Sequence, residues 1–427
     1  MGAPPAREEI ADPAGSGVSA SERGGPPTAS GSALAPLVLK KGEERRLRAG
    51  HLWVFSNEVD VARTPLTALQ PGQPVMLLDS TGKTLGSGYA HPNTLIAARL
   101  VDRGGHALDR SLFVHRLNVA LALRERRYAD PYYRLVFGES DGLPGLTVDR
   151  FGDVLVAQAT TAGIDRLQDE ITDALDKVLK PRSIVWKNDS SARAIEGLGN
   201  DVRVVGMPVD GPVEVREGRL SFSADVLEGQ KTGWFYDQRS NRDRLAPWLK
   251  GVSVLDLFSF AGGWGLRAVA DGAASADCVD VSGRAIQAVR ANAERNGLAD
   301  RVTGHSSDAF DFLKAARAER RRWDVVIVDP PAFVKRKKDF KEGALAYRRV
   351  FEAAMQVLAK DGLLVACSCS HHYPRSALVE AVQAGARHLD RQAQLLEFLA
   401  QGPDHPVHPA IPETEYLKGA LFRVLPA

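Results

Sequence analysis

Two short segments carry a carboxyl and a thiol at a spacing that could serve one ring. Asp329-Pro330-Pro331-Ala332-Phe333 follows the apolar run 325–328, and forty residues later Cys369 ends the apolar run that begins at Gly362. Carbon 5 of a pyrimidine is a poor nucleophile until a thiolate adds at carbon 6. An acid bonded to ring nitrogen 3 assists that addition. Cys369 and Asp329 are the residue types for these two catalytic roles. The two prolines hold the chain extended and withhold backbone donors. Asp329 and the carbonyl before it are thereby turned toward a pocket in which Phe333 could stack on an extruded base. Cys367 lies deeper in its strand and Cys278 lies on another, so both read as small core hydrophobes. Cys367, Cys369, His371 and His372 lack the usual spacing of a metal site and no second ligand pair accompanies them, so no metal is expected.

A glycine-rich turn stands upstream, in Val254-Leu-Asp-Leu-Phe-Ser-Phe-Ala-Gly-Gly-Trp-Gly265. Gly262, Gly263 and Gly265 fall between a strand and a helix, where glycine lets the backbone approach a ligand closely. Asp256 and Phe258 precede them. Asp280 lies 24 residues beyond Asp256, at the end of the next strand, where a carboxylate can bind two ribose hydroxyls. Asp308 follows the third strand and could accept from an adenine amino group. Gly263, Gly265 and Ala268 also match the dinucleotide pattern Gly-x-Gly-x-x-Ala. Asp256 and the Asp-Pro-Pro segment favour S-adenosyl-L-methionine instead, because a sulfonium with a free amino group attracts acids and a pyrophosphate does not.

These residues need an open sheet whose strand ends meet in one crevice. From residue 252 onward, apolar strands at 252–257, 276–281, 323–328 and 363–367 alternate with helical segments, and a shorter strand lies near 302. That alternation predicts a parallel sheet with crossover helices. In the helix that follows Ser282, the cap is Ser282, the buried face is Ile286, Val289 and Ala293, and the stop is Gly297. Residues 104–224 predict an α+β unit, with helices over 108–128 and 164–179 and strands at 146–148, 154–159, 183–187, 213–215 and 220–224. The boundary with the last unit, 225–427, is expected near Asp225. Residues 37–103 predict a small β-rich module. Its entry segment, 40–55, interleaves five Lys or Arg, Arg45 and Arg46 among them, with Trp53 and Phe55. That mixture suits RNA backbone and stacking contacts, or simply a solvated turn before a core strand. Residues 1–36 hold 25 Gly, Ala, Pro or Ser, too little apolar surface to offset ordering, and predict a disordered tail.

The segment 334–349 carries seven Lys or Arg against two acids. Charge runs are usually solvated surface. Beside a base pocket, Lys335, Arg336, Lys337 and Lys338 are expected to contact phosphates. The whole chain, 427 residues at net charge +2, is no polycation, so any nucleic-acid footprint must be local. Three cysteines exclude a disulfide framework. No apolar stretch reaches the ~20 residues that span a bilayer, and the start lacks a secretory pattern. A cytoplasmic protein with no membrane partner is expected.

Taken together, Leu39–Phe55, Gly229-Gln-Lys-Thr-Gly-Trp-Phe-Tyr-Asp-Gln-Arg239, the glycine turn, Asp-Pro-Pro-Ala-Phe, Ser-Cys-Ser and the ending Asp404-His-Pro-Val…Glu415-Tyr-Leu-Lys-Gly419 resemble the bacterial 23S rRNA cytosine-5 methyltransferases with an N-terminal PUA domain. The resemblance runs from about residue 37 to the end. It implies a PUA domain over 37–103, a central α+β domain over 104–224, and a C-terminal Rossmann-like class I methyltransferase domain of α/β type. It further implies Gln238 and Arg239 at the cofactor's methionine end, Asp280 at the ribose, Asp308 at the adenine, and Cys369 as the single catalytic thiol. The partner expected is 23S ribosomal RNA, with a homodimer admitted. Related enzymes with two catalytic cysteines place one where Ala332 stands, so the base that removes the carbon 5 proton is unassigned. The competing readings are a guanine or adenine nitrogen methyltransferase on the same fold, a non-catalytic RNA-binding assembly factor, and an NAD oxidoreductase.

Overall fold

The structure, a computed structural model, describes residues 34–427. Most of the expected tail lies outside the described residues, but Ala35 and Pro36 do not belong to it: they start the first strand. Strands β1 (Ala35–Val38), β2 (Trp53–Phe55), β3 (Gln73–Leu78), β4 (Thr84–Ala90) and β5 (Ile96–Asp102), with the short helix α1 (Glu44–Arg48), form a sheet of order β1-β3-β4-β5-β2. Alternating residues such as Leu37, Val75, Leu77 and Leu100 fill its core, which is closed by Ile411 from the far end of the chain.

Helix α2 (Arg110–Arg127) leads into β6 (Tyr132–Phe137), β7 (Leu146–Phe151), β8 (Val154–Ala159), α3 (Ala162–Arg166), α4 (Gln168–Leu179), β9 (Ser183–Asn188) and β10 (Asp201–Gly206). The second sheet has the order β10-β9-β8-β7-β6. The single helix expected over 164–179 is two helices, because Leu167 leaves helical dihedrals while burying its side chain in the core shared by Leu117, Ile171, Leu175 and Trp186. The hairpin of β11 (Val213–Glu217) and β12 (Leu220–Ala224) follows. Its Val215 and Phe222 share one apolar cluster with Val156 and Val185 of the second sheet and with Leu266 and Val289 further on. The break expected near Asp225 therefore crosses a continuous core rather than a linker.

After α5 (Arg239–Leu245), strands β13 (Ser253–Leu257), β14 (Ser275–Asp280), β15 (Val302–Ser306), β16 (Trp323–Val328), β17 (Leu358–Ser368), β18 (Arg391–Ala400) and β19 (Lys418–Pro426) build a seven-stranded sheet. The order is β15-β14-β13-β16-β17-β19-β18. The expected parallel sheet is present through β17, whereas β19 pairs antiparallel with both β17 and β18. Helices α6 (Gly263–Ala270), α7 (Gly283–Arg295), α8 (Ala309–Ala318), α9 (Phe340–Gln356) and α10 (Arg375–His388) connect the strands. Period-two alternation sorts the central strands cleanly. Val254, Val325, Ile327 and Val365 face α6 and α7, while Leu255, Val326, Val328 and Leu364 face α8, α9 and α10. Strand order reverses between β13 and β16, and the loops after those two strands line the resulting crevice.

Among the described residues no helix is long and apolar enough to cross a membrane. Helix α6 lies so close to β14 that a β-carbon at Gly265 would overlap the Cys278 sulfur. Gly265→Ala is therefore expected to destabilise the chain by about 1–3 kcal/mol through overpacking. This outweighs the helix-propensity gain of about 1 kcal/mol and is read as a lower midpoint in chemical denaturation.

Candidate active site

The turn between β13 and α6 is held in an unusual shape. Phe258 and Phe260 adopt φ of 62° and 49°, and Gly262 adopts 82°. Left-handed dihedrals at two phenylalanines cost stability and persist only where surrounding contacts enforce them. Asp280 supplies that enforcement: its Oδ2 accepts from the Phe260 amide at 3.0 Å and its Oδ1 from the Ser282 amide at 2.9 Å. From α7, Asn292 Nδ2 donates to the Ala261 carbonyl at 3.0 Å. Gly263 opens α6 beside the Arg242 guanidinium. The turn is thus a preformed cradle, with the Asp280 carboxylate at its rim.

Three carboxyls gather below it. Asp256 is fully buried, and its Oδ2 accepts from the Gly265 amide at 2.9 Å while Oδ1 has no partner. Burial pushes its carboxyl up to about 8, and the charges of Asp329 and Asp280 push the same way. At the end of β16, Asp329 Oδ2 accepts from Gln238 Nε2 at 2.9 Å and from Trp264 Nε1 at 3.2 Å. Both bonds fall on one oxygen, which leaves Oδ1 for a ligand. Burial, then the Asp237 charge, raises Asp329 to about 6. Asp237 itself is held below the ordinary range: burial works against this, and the neighbouring His405 and Lys231 and a 2.5 Å bond from Tyr416 outweigh it.

Cys369 is the first residue past β17 and the one cysteine of three that is not fully buried. Its thiol points to the Pro330 carbonyl, with Sγ 3.9 Å from the oxygen. Asp329, Pro330 and Cys369 therefore share one corner of the crevice. Burial pushes the thiol up to about 11, opposed by Lys231 and reinforced by Asp329 and Asp237. Cys367 and Cys278 lie wholly within the apolar cluster beneath the sheet.

Other expected residues are exposed or already engaged in bonds within the chain. Asp308 caps α8, its Oδ1 accepting from the Phe310 amide at 2.8 Å, and its side chain is exposed. Arg239 turns away from the crevice: it donates to the Tyr132 carbonyl at 2.8 Å and lies over the Tyr128 ring. Half of the Gln238–Arg239 pair expected at the crevice thus serves the central unit. Arg46 is spent inside the first sheet, bonded to Glu58 and set over the Phe55 ring, whereas Arg45 is exposed. Lys335, Lys337 and Lys338 project into solvent, and Arg336 pairs with Asp339. Phe333 is partly buried, with its ring 4.8 Å from that of Tyr347.

Trp264, Asp237, Tyr347, Tyr416 and Lys418 also support the site, and no motif marks any of them individually. Trp264 sits within the glycine turn and Asp237 beside Gln238, so adjacency to motif residues was the available signal. Nothing local marks Tyr347. The site fits a cationic ligand bearing an amino group, because a buried carboxyl oxygen of Asp256 and the buried Ser259 hydroxyl both lack partners. The raised Asp256 carboxyl has a consequence for stability. The unfolded chain loses this proton first, so the contribution is intact below about pH 4 and is lost as pH rises through about 8. Asp256→Asn removes that titration. Its melting temperature relative to the unsubstituted chain is expected to climb between about pH 5 and about pH 8; a difference that stays flat across the scan contradicts a neutral Asp256.

Residues 37–103 match the model of the PUA-like domain, and residues 202–423 match that of the S-adenosylmethionine-dependent methyltransferases. A protein of Shewanella denitrificans called Ribosomal RNA large subunit methyltransferase I is 36% identical over 403 residues, covering 91% of this chain and 99% of that one. An Aeromonas hydrophila protein of the same name is 36% identical over 398 residues, with the same coverage. Among solved structures, a Streptococcus mutans chain described as a SAM-dependent methyltransferase superposes with a TM-score of 0.77 at 21% identity, covering 91% of this chain and all of the other. Another, a methyltransferase complexed with SAH, gives 0.78 at 21% identity over the same shares. The chain belongs to the S-adenosylmethionine-dependent methyltransferases that carry an N-terminal PUA-like domain, in the family of the ribosomal RNA large subunit methyltransferases I.

Proposed function

We propose that the protein methylates carbon 5 of a cytosine in 23S ribosomal RNA, in the cytoplasm, with Cys369 as nucleophile and Asp329 as the acid at ring nitrogen 3. The observation that carries this reading is the shared corner of the crevice. A partly accessible thiol bonds to the carbonyl of Pro330, the residue next to a carboxyl that Gln238 and Trp264 hold by one oxygen. The names and high coverage of the relatives support ribosomal RNA as the substrate class.

Bound S-adenosylmethionine supplies an electrophilic methyl group. Asp256 and Ser259 have the unpartnered atoms to meet its polar groups, and Asp280 would receive the ribose hydroxyls on the lone pairs left free by its bonds to the Phe260 and Ser282 amides. Cys369 adds through sulfur to carbon 6, and the ring electrons move to carbon 5. Asp329, raised to about 6, is partly protonated near neutral pH and offers a proton to nitrogen 3. Once carbon 5 carries the methyl group, transfer of its proton to solvent restores the double bond, expels the Cys369 sulfur as thiolate and returns the nitrogen 3 proton to Asp329. Because burial holds the thiol protonated in the free protein, a proton must leave Cys369 before it can add.

Cys369→Ala is expected to lose methyl transfer to background while keeping cofactor affinity, measured with labelled cofactor and by calorimetry. RNA containing 5-fluorocytosine is expected to form a covalent adduct with the unsubstituted protein and none with the variant. Activity that survives in Cys369→Ala would assign a nitrogen target on guanine or adenine instead. RNA binding without cofactor binding would assign an assembly factor. For the basic loop, the double substitution Lys337→Ala, Lys338→Ala is expected to weaken RNA binding and to flatten the slope of log Kd against log salt by about 1.4, roughly 0.7 for each phosphate that a lysine no longer neutralises. Its cofactor affinity should not change.

A further inference from the structure

The serines on either side of Cys369 are tied to a single hydroxyl. Tyr347, fully buried in α9, accepts from Ser368 Oγ at 2.8 Å and pairs with Ser370 Oγ, also at 2.8 Å. Ser370 Oγ accepts in turn from the Val334 amide at 3.0 Å, and the Phe333 amide approaches the Tyr347 oxygen at 3.4 Å. The Ser370 amide closes the ring onto Ser368 Oγ at 3.2 Å. Lys418 Nζ holds the Ser370 carbonyl at 2.7 Å. Packing fixes the phenol itself: its ring stacks on Tyr373 at 4.4 Å and 19° and lies 4.8 Å from the Phe333 ring.

We infer that Tyr347 is the positioning residue of Cys369: its hydroxyl locks the strand end that carries the thiol to the backbone that follows Asp329-Pro330-Pro331, so that nucleophile and acid are held as one rigid unit. This rests on the reading of Cys369 as the nucleophile. A residue just past a strand end has no ladder partner to fix its direction. Here both of its neighbours are fixed from outside the strand. The apparatus also meets the basic loop, since Lys335–Lys338 runs from Val334, bonded to Ser370, toward α9, which bears Tyr347. Removing the hydroxyl leaves two buried serine side chains and the Phe333 amide without a shared partner, and the thiol then samples other directions. Misplacement of a reacting group by about 1 Å can lower a rate by about 100-fold.

The test uses the full chain with Tyr347→Phe, which keeps the stacked ring. Adduct formation with 5-fluorocytosine RNA is timed on denaturing gels in the presence of S-adenosylmethionine, beside RNA and cofactor affinities. Expected are an adduct rate lower by about 10- to 100-fold, a KM for RNA and a cofactor Kd within about twofold, and a changed pH profile for iodoacetamide alkylation of Cys369. Ser370→Ala is expected to move the same readouts in the same direction, and it replaces Tyr347→Phe if that variant fails to fold. An adduct rate and alkylation profile within about twofold of the unsubstituted protein in the folded variants overturns the inference and leaves the carbon 5 reading standing. No adduct with the unsubstituted protein overturns both.

Discussion

One carboxylate oxygen joins the three segments on which the site depends. Asp329 Oδ2 accepts from Gln238, on the segment before α5, and from Trp264, in the first turn of α6. The strand that carries Asp329, the helix that follows the cofactor turn and the segment before α5 thus meet at one atom. Charge-assisted bonds of this kind are stronger than neutral ones, and a buried carboxylate stripped of its donors is costly. The position of each segment is therefore conditional on the other two.

The same corner concentrates negative charge that a folded chain would otherwise avoid. Asp256 lies in the field of Asp329, and Asp329 in that of Asp237; burial drives Asp256 and Asp329 toward their neutral forms, and Asp237 stays ionised against Tyr416. A pocket with one fixed negative charge and two protonatable acids suits a cationic ligand. It also keeps an acid available near neutral pH where a ring nitrogen would need one. Elsewhere buried charges are paired. Arg242 and Arg267 both grip Glu217 of the hairpin, and removing one member of such a buried set costs about 3–5 kcal/mol.

The central unit acts as the seat of the segment before α5. Thr232 Oγ1 donates to Asp149 at 2.5 Å, Tyr236 OH donates to the Arg150 carbonyl at 2.8 Å, and Arg239 donates to the Tyr132 carbonyl. Arg124 spans Asp141 and the Asp404 carbonyl, so the C-terminal loop is fastened to the same unit before Ile411 enters the first core. Remote stretches of chain are thereby anchored to one platform, which explains why the apolar clusters do not respect the expected boundary near Asp225.

The sequence by itself determined the alternating strands and helices from residue 252 onward. Consecutive apolar strands, a capping Ser282 and a terminating Gly297 are local signals, and local dihedral preference and period decide them. It also placed Cys369 and Asp329 at strand ends, where topology brings them together. It could not reveal that β19 runs antiparallel between β17 and β18, because pairing direction depends on where a distant strand finds an open edge. Nor could it separate Gln238, which turns into the crevice, from Arg239, which turns away. These neighbours are both polar and differ in which unit packs against each. The Tyr347 hydroxyl shows the limit most plainly: a tyrosine on a helical stripe reads as core until three segments are folded around its oxygen. Spacing named the reactive groups, and only long-range packing decided what holds them.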